Sequence, residues 1–147
     1  MTGAPIDLLA VVVLDGALCI ETILGTTVGS SSIQGRGLFA QRAWAAGEVL
    51  TVMDGQVVDV TRYPGVIDAL EWNALSPERL LVRAVRTSYG FMNHSSRPNT
   101  SIDDDGRTLR ANQAIVSGDE LTLDYFAQPV PEAYLASAEA VALRALA

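Results

Sequence analysis

Three Asp-Gly pairs, Asp15-Gly16, Asp54-Gly55 and Asp105-Gly106, punctuate the alternation of apolar and polar positions. Asp-Gly tolerates the positive φ angles of tight hairpin turns, and strand-like residues flank each pair. The pattern predicts three hairpins: 10–14 with 17–22, 48–53 with 56–60, and 99–103 with 107–112. Ile115-Val116 and Leu121 to Phe126 add strand material around a turn at Gly118-Asp119. Helical signals are fewer. Val66 to Leu75 and Pro77 to Val85 read as two short helices, Ser76 capping the second. The Ala- and Leu-rich stretch 131–147 reads as a closing helix, with Tyr134, Leu135, Ala138, Val141, Ala142 and Ala145 at helical spacing. The expected architecture is mainly β: several short antiparallel sheets, a small helical insert near 64–85 and a C-terminal helix.

Length and charge narrow the functional classes. A chain of 147 residues suits one domain over 1–147, without a linker or repeat. The formal charge is −7, and all ten basic residues are arginine, with no lysine. Such a chain is a poor direct nucleic-acid binder, because phosphate contacts need a basic surface. A basic protein partner suits it better; simple solubility also accounts for the charge. Cys19 is the only cysteine, which excludes an internal disulfide and a cysteine-rich zinc site, so no metal is expected. In its apolar stretch it reads as a small buried hydrophobe. The apolar run Leu8 to Leu14 is too short to span a membrane, and no basic region precedes it as in a secretory signal. A soluble, intracellular protein is expected. The run fits either a core strand or a homodimer interface.

Three segments carry candidate chemistry. Gly35-Arg36-Gly37 precedes Leu38-Phe39-Ala40, and its glycines would let a backbone approach a ligand closely. Asn93-His94-Ser95-Ser96-Arg97-Pro98-Asn99 follows Gly90-Phe91-Met92 and holds the single histidine. On residues alone it is a loop whose Asn and Ser side chains cap their own backbone. It lacks the residues of a hydrolase triad. Glu120-Leu121-Thr122-Leu123-Asp124-Tyr125 alternates like a strand end, with Tyr125 half-buried.

Taken in order, these segments resemble the motifs of the SET domain, a family of protein-lysine methyltransferases that use S-adenosylmethionine. The resemblance runs over about residues 25–126 and places the helix 131–147 outside the core. It implies a β-clip-like fold in which the segment with Asn93 and His94 folds against the one with Tyr125 in a knot-like crossing. It implies cofactor binding by Gly35, Arg36, Gly37, Asn93, His94 and Tyr125, with the asparagine at the methionine end of the cofactor. Tyr125 becomes the catalytic residue at the base of a lysine channel, lined by Met53, Leu123, Phe126 and Tyr134. The implied partner is a basic protein, a histone or another lysine-rich protein.

The chain also departs from the family pattern. Met53 stands where Tyr-x-Gly would place a tyrosine, and Gly90 where an arginine precedes Phe91. Ser96 replaces a cysteine, and the zinc-binding tail is missing, so the C-terminal helix with Phe126 or Tyr134 would close the channel. Leu123 replaces the Phe or Tyr that can limit methylation to one step, so di- or trimethylation is expected. The departures leave a second reading, a catalytically silent SET-like module that binds a peptide or oligomerises. Asp103-Asp104-Asp105 is either a docking point for a basic substrate or a solvated turn.

The expected chemistry is in-line methyl transfer to an amine. A lysine amine must be neutral to attack, and deprotonating it at pH 7 costs about 4.6 kcal/mol in water. An apolar channel lowers that cost by desolvating the charged form.

Overall fold

The computed structural model describes residues 18–146. Ten short strands, β1 (Thr26–Ser30), β2 (Arg36–Ala40), β3 (Val49–Val52), β4 (Gln56–Asp59), β5 (Glu71–Ser76), β6 (Arg79–Arg83), β7 (Asn93–His94), β8 (Thr100–Ile102), β9 (Thr108–Ala111) and β10 (Glu120–Leu123), build three small sheets. Their orders are β1-β2-β10-β7, β3-β9-β8 and β4-β6-β5. The helical elements are α1 (Val66–Ala69), α2 (Glu132–Leu135), α3 (Ala138–Ala145) and 3-10 turns at Ser88–Phe91 and Tyr125–Ala127. The mainly β reading holds. No helix among the described residues is long and apolar enough to cross a membrane.

Two of the three expected hairpins can be judged. The one at Asp105-Gly106 forms, pairing β8 with β9. Gly106 sits at φ +71°, and the Asp105 carboxylate accepts from Arg107 N, Thr108 N and the Thr108 hydroxyl. The hairpin at Asp54-Gly55 does not form: β3 pairs with β9, and β4 with β6. The backbone passes so close to Val82 that a Cβ on Gly55 would lie 2.6 Å from its carbonyl oxygen. The pair therefore serves a passage between two sheets. The hairpin at Asp15-Gly16 lies mostly outside the described residues; Ile20 makes an isolated bridge with Thr87.

The helical insert is smaller than its spacing suggested. Only α1 is helical, and Glu71 to Arg83 is a β-hairpin. The apolar run misled because β6 is buried on both faces. Leu81 points into the main core, while Leu80 and Val82 join a second cluster with Val60 and Ala74. Two-sided burial removes the alternation that marks a strand. Ser76 still caps a turn, accepting from Arg79 N, but the chain leaves that turn as a strand. The closing helix also splits: Ser137 ends one piece by donating to Tyr134 O and caps the next by accepting from Ala140 N. The strand expected to reach Phe126 ends at Leu123, where Asp124 accepts from Phe126 N and starts the 3-10 turn.

The central sheet positions the candidate site. β10 lies antiparallel to β2 and parallel to β7, with Thr122 opposite Asn93 and Leu123 opposite His94. Ser95 N donates to Leu123 O, the Asn99 amide brackets Thr122 N and Glu120 O, and the Thr100 hydroxyl donates to Thr122 O. The 93–100 segment thus folds directly against the strand leading to Tyr125.

Candidate active site

The β1–β2 hairpin carries Gly35-Arg36-Gly37, and its two glycines have different tasks. Gly35 lies at φ +48°, and nothing stands within 4 Å of where its Cβ would be. That side is open to a ligand. Gly37 is closed: a Cβ there would lie 2.3 Å from Glu120 Oε2. Its missing side chain seats a carboxylate of the protein itself, which corrects the ligand-approach reading for this position. The Arg36 side chain is exposed.

Asn93 is locked into this loop. Its Nδ2 lies 2.9–3.1 Å from Ser31 Oγ, Gln34 O, Arg36 O and Glu120 Oε2. The Ser31 hydroxyl spends its hydrogen on Glu120, at 2.7 and 2.9 Å from the two oxygens. Four acceptors around one amide nitrogen fix which way the amide points. Among the described residues no donor reaches Asn93 Oδ1, which is left as an acceptor. An outward acceptor beside an open glycine suits the ammonium of an amino-acid-bearing cofactor.

His94 and Tyr125 are coupled on the next turn. Tyr125 N donates to His94 Nδ1 at 3.1 Å, so the neutral ring carries its hydrogen on Nε2. The His94 ring packs against Tyr125 and edge-on to Phe126, at centroid distances of 5.3 and 5.0 Å. Phe126 stacks on Tyr134, and Tyr134 meets Trp72 edge-to-face. The Tyr125 hydroxyl donates to Met92 O. Burial pushes its pKa well above the ordinary tyrosine value.

A cavity of about 480 Å³ is lined in part by Tyr125. Trp72, Tyr89, Met92, Tyr125 and Tyr134 give it an aromatic and apolar wall, Asp68, Glu71 and Glu139 add carboxylates, and Arg83 and Arg86 add guanidinium groups. Tyr89 is buried, which pushes its pKa up to about 12. Burial raises Tyr134 too, helped by the Glu139 carboxylate that accepts its hydroxyl.

The candidate residues therefore divide. Tyr125 and Tyr134 line the cavity, and Phe126 stands behind Tyr134. Met53 and Leu123 are buried in the main core and do not line the cavity. Gly35, Arg36, Gly37, Asn93 and His94 do not line the cavity; His94 joins their cluster to Tyr125 through the Tyr125 backbone N–H. Ser31, Glu71, Trp72, Arg86 and Tyr89 were not foreseen as site residues. Glu120 stood in a motif but without a task. None carries a local sequence signal: Ser31, Glu71, Trp72 and Tyr89 act through partners distant in the chain, and Arg86 acts through Gly90 and Phe91 in a turn that no motif marks.

The structure also accounts for Gly90. A Cβ there would lie 2.2 Å from Glu71 Oε1. Glu71 pairs with Arg83 and accepts from Thr87 N and the Thr87 hydroxyl. Arg86 donates to Gly90 O and places its guanidinium 4.4 Å from the Phe91 ring centroid. An arginine thus still covers Phe91, from five residues upstream. In the acidic turn, Asp103 pairs with Arg110, while Asp105 is held at about 2 by its own turn, first through the Thr108 hydroxyl. Two of the three carboxylates are engaged inside the hairpin.

The SET domain family model matches residues 35–126, more than half of the chain. No curated protein matches the chain significantly. SET domains are generally protein-lysine methyltransferases. The match spans the open glycine, Asn93, Glu120 and Tyr125 and covers more than half of the chain, so the chain belongs to the SET domain family.

Proposed function

We propose that the protein is an S-adenosylmethionine-dependent protein-lysine N-methyltransferase acting on a basic protein such as a histone. The observation that carries this reading is that Tyr125 touches both the His94 end of the polar cluster and the cavity. Its backbone N–H is held by His94 beside the polar cluster, and its hydroxyl by Met92 O at the aromatic cavity. The cofactor, when bound, supplies an electrophilic methyl on a sulfonium. Asn93 Oδ1, Arg36 and the open face at Gly35 would hold it.

The remaining work falls to the cavity. Its aromatic walls desolvate an entering lysine and favour the neutral amine. Tyr125 donates its one hydrogen to Met92 O, so its oxygen lone pairs remain to orient the amine and to receive a weak C–H···O contact. Its raised pKa keeps it protonated at neutral pH, so it aligns the nucleophile and does not act as a base. Alignment of this kind supplies on the order of 7–11 kcal/mol. The amine loses its proton to solvent before transfer. Leu123 lies in the main core and not in the cavity wall, so the expectation of more than one methyl group rests on the family resemblance alone.

The test is incubation with methyl-labelled cofactor and a histone mixture, with products resolved by mass spectrometry. Transfer giving di- or trimethyl-lysine is expected. Cofactor binding without transfer to any basic protein would favour a silent module. Transfer stopping at monomethyl-lysine would refute addition of more than one methyl group.

A further inference from the structure

We propose that Glu120 is a positioning residue for the cofactor, acting through Asn93. The inference rests on the cofactor reading above and assigns the part that aims Asn93. The Glu120 carboxylate fills the space a side chain at 37 would occupy. It accepts from the Ser31 hydroxyl and from Asn93 Nδ2. No basic side chain pairs with it among the described residues. Ser31 Oγ, its hydrogen committed to Glu120, can only accept from Ile33 N, Gln34 N and Asn93 Nδ2.

This sets one direction for the whole cluster. A flipped Asn93 would place Oδ1 among two carbonyl oxygens, a carboxylate oxygen and a hydroxyl oxygen without a hydrogen to give. Glu120 therefore holds the amide so that Oδ1 faces outward as an acceptor. A glutamine at 120 cannot reproduce this. One of its two terminal atoms is an NH₂, which either opposes Asn93 Nδ2 or gives a hydrogen to Ser31 Oγ and releases the Ser31 hydrogen. With a glutamine there, the Ser31 hydrogen is no longer fixed, and the Asn93 amide keeps only the Gln34 and Arg36 carbonyls as fixed acceptors.

The test compares two probes by calorimetry. S-Adenosylhomocysteine carries the amino-acid end, whose ammonium Asn93 Oδ1 would accept; 5′-methylthioadenosine lacks that end. Glu120→Gln should weaken the first about tenfold or more, as expected when a hydrogen bond to a charged group is lost. The second should change less than about twofold, because it makes no use of Asn93 Oδ1. Ser31→Ala should show the same selective loss, smaller in size, and serves if Glu120→Gln fails to fold. Equal weakening of both probes would mean a structural role only and overturn the proposal, as would no weakening of either. Wild-type protein that binds neither probe would remove the cofactor reading itself, a result distinct from wild-type binding that Glu120→Gln leaves unchanged.

Discussion

The polar cluster around Asn93 and the aromatic cavity beside Tyr134 meet at Tyr125, yet they are built from opposite chemistry. In the cluster, nearly every polar atom has a partner, and a ring of acceptors fixes one amide. The cavity wall is Trp72, Tyr89, Met92 and Tyr134, and burial raises the pKa of its tyrosines. The cluster is suited to holding a charged small molecule in one orientation. The cavity pairs an aromatic wall with carboxylates, a lining suited to receiving a lysine side chain. Methyl transfer needs both, because it joins a fixed electrophile to a desolvated nucleophile.

The comparison predicts separable losses. The largest is at the junction: Tyr125→Phe should lower kcat about 100-fold by loosening the amine's alignment, leaving cofactor affinity within about twofold by calorimetry. Next, Asn93→Ala should raise the cofactor Kd about tenfold or more, with little change in KM for the protein substrate. If both variants lost the same function, the division into two regions would fail.

A smaller effect is expected in stability. Gly90→Ala places a Cβ against Glu71 Oε1, and overpacking of this kind costs about 1–3 kcal/mol. Urea denaturation measures it; an unchanged midpoint would show that Glu71 moves freely. The tyrosines give the pH dependence. The pKa of Tyr89 rises from 10.0 to about 12 on folding, so the stabilisation from keeping it neutral is fully present below pH 10 and lost as pH climbs to about 12. Its size is on the order of 2 kcal/mol. Tyr125 and Tyr134 shift the same way, so unfolding should become markedly easier in alkali. The smallest effect belongs to Asp104→Asn, which should leave peptide affinity within about 0.5 kcal/mol. Its neighbours Asp103 and Asp105 are already engaged, and a clear loss of peptide affinity would restore the docking role.

The chain displays one region far more openly than the other. The cluster sits on motif residues, and Gly35, Asn93, His94 and Tyr125 were legible because turn chemistry and family resemblance both mark them. The cavity was not. Trp72 and Glu71 lie in a stretch that read as helix, because β6 beside it is buried on both faces and shows no alternation. Met53 and Leu123 were expected in the channel, yet they pack into the main core. Their apolar character fits either place, and only the sheet pairing decides between them. The Asp-Gly pairs show the same limit. Asp105-Gly106 turns a hairpin, while Asp54-Gly55 crosses between sheets because Val82 lies against Gly55. Glu120 was visible as a letter in a motif, but its task depends on a glycine 83 positions upstream.

The central claim is that Tyr125 aligns an amine for transfer while the Asn93 cluster independently holds the methyl donor. Labelled-methyl transfer to a histone mixture, measured alongside cofactor calorimetry for wild-type protein and Tyr125→Phe, tests it most directly. The account predicts that wild-type protein transfers label and that Tyr125→Phe binds cofactor as tightly but transfers almost none. Equal transfer by both proteins, or loss of cofactor binding on removal of that one hydroxyl, would contradict it.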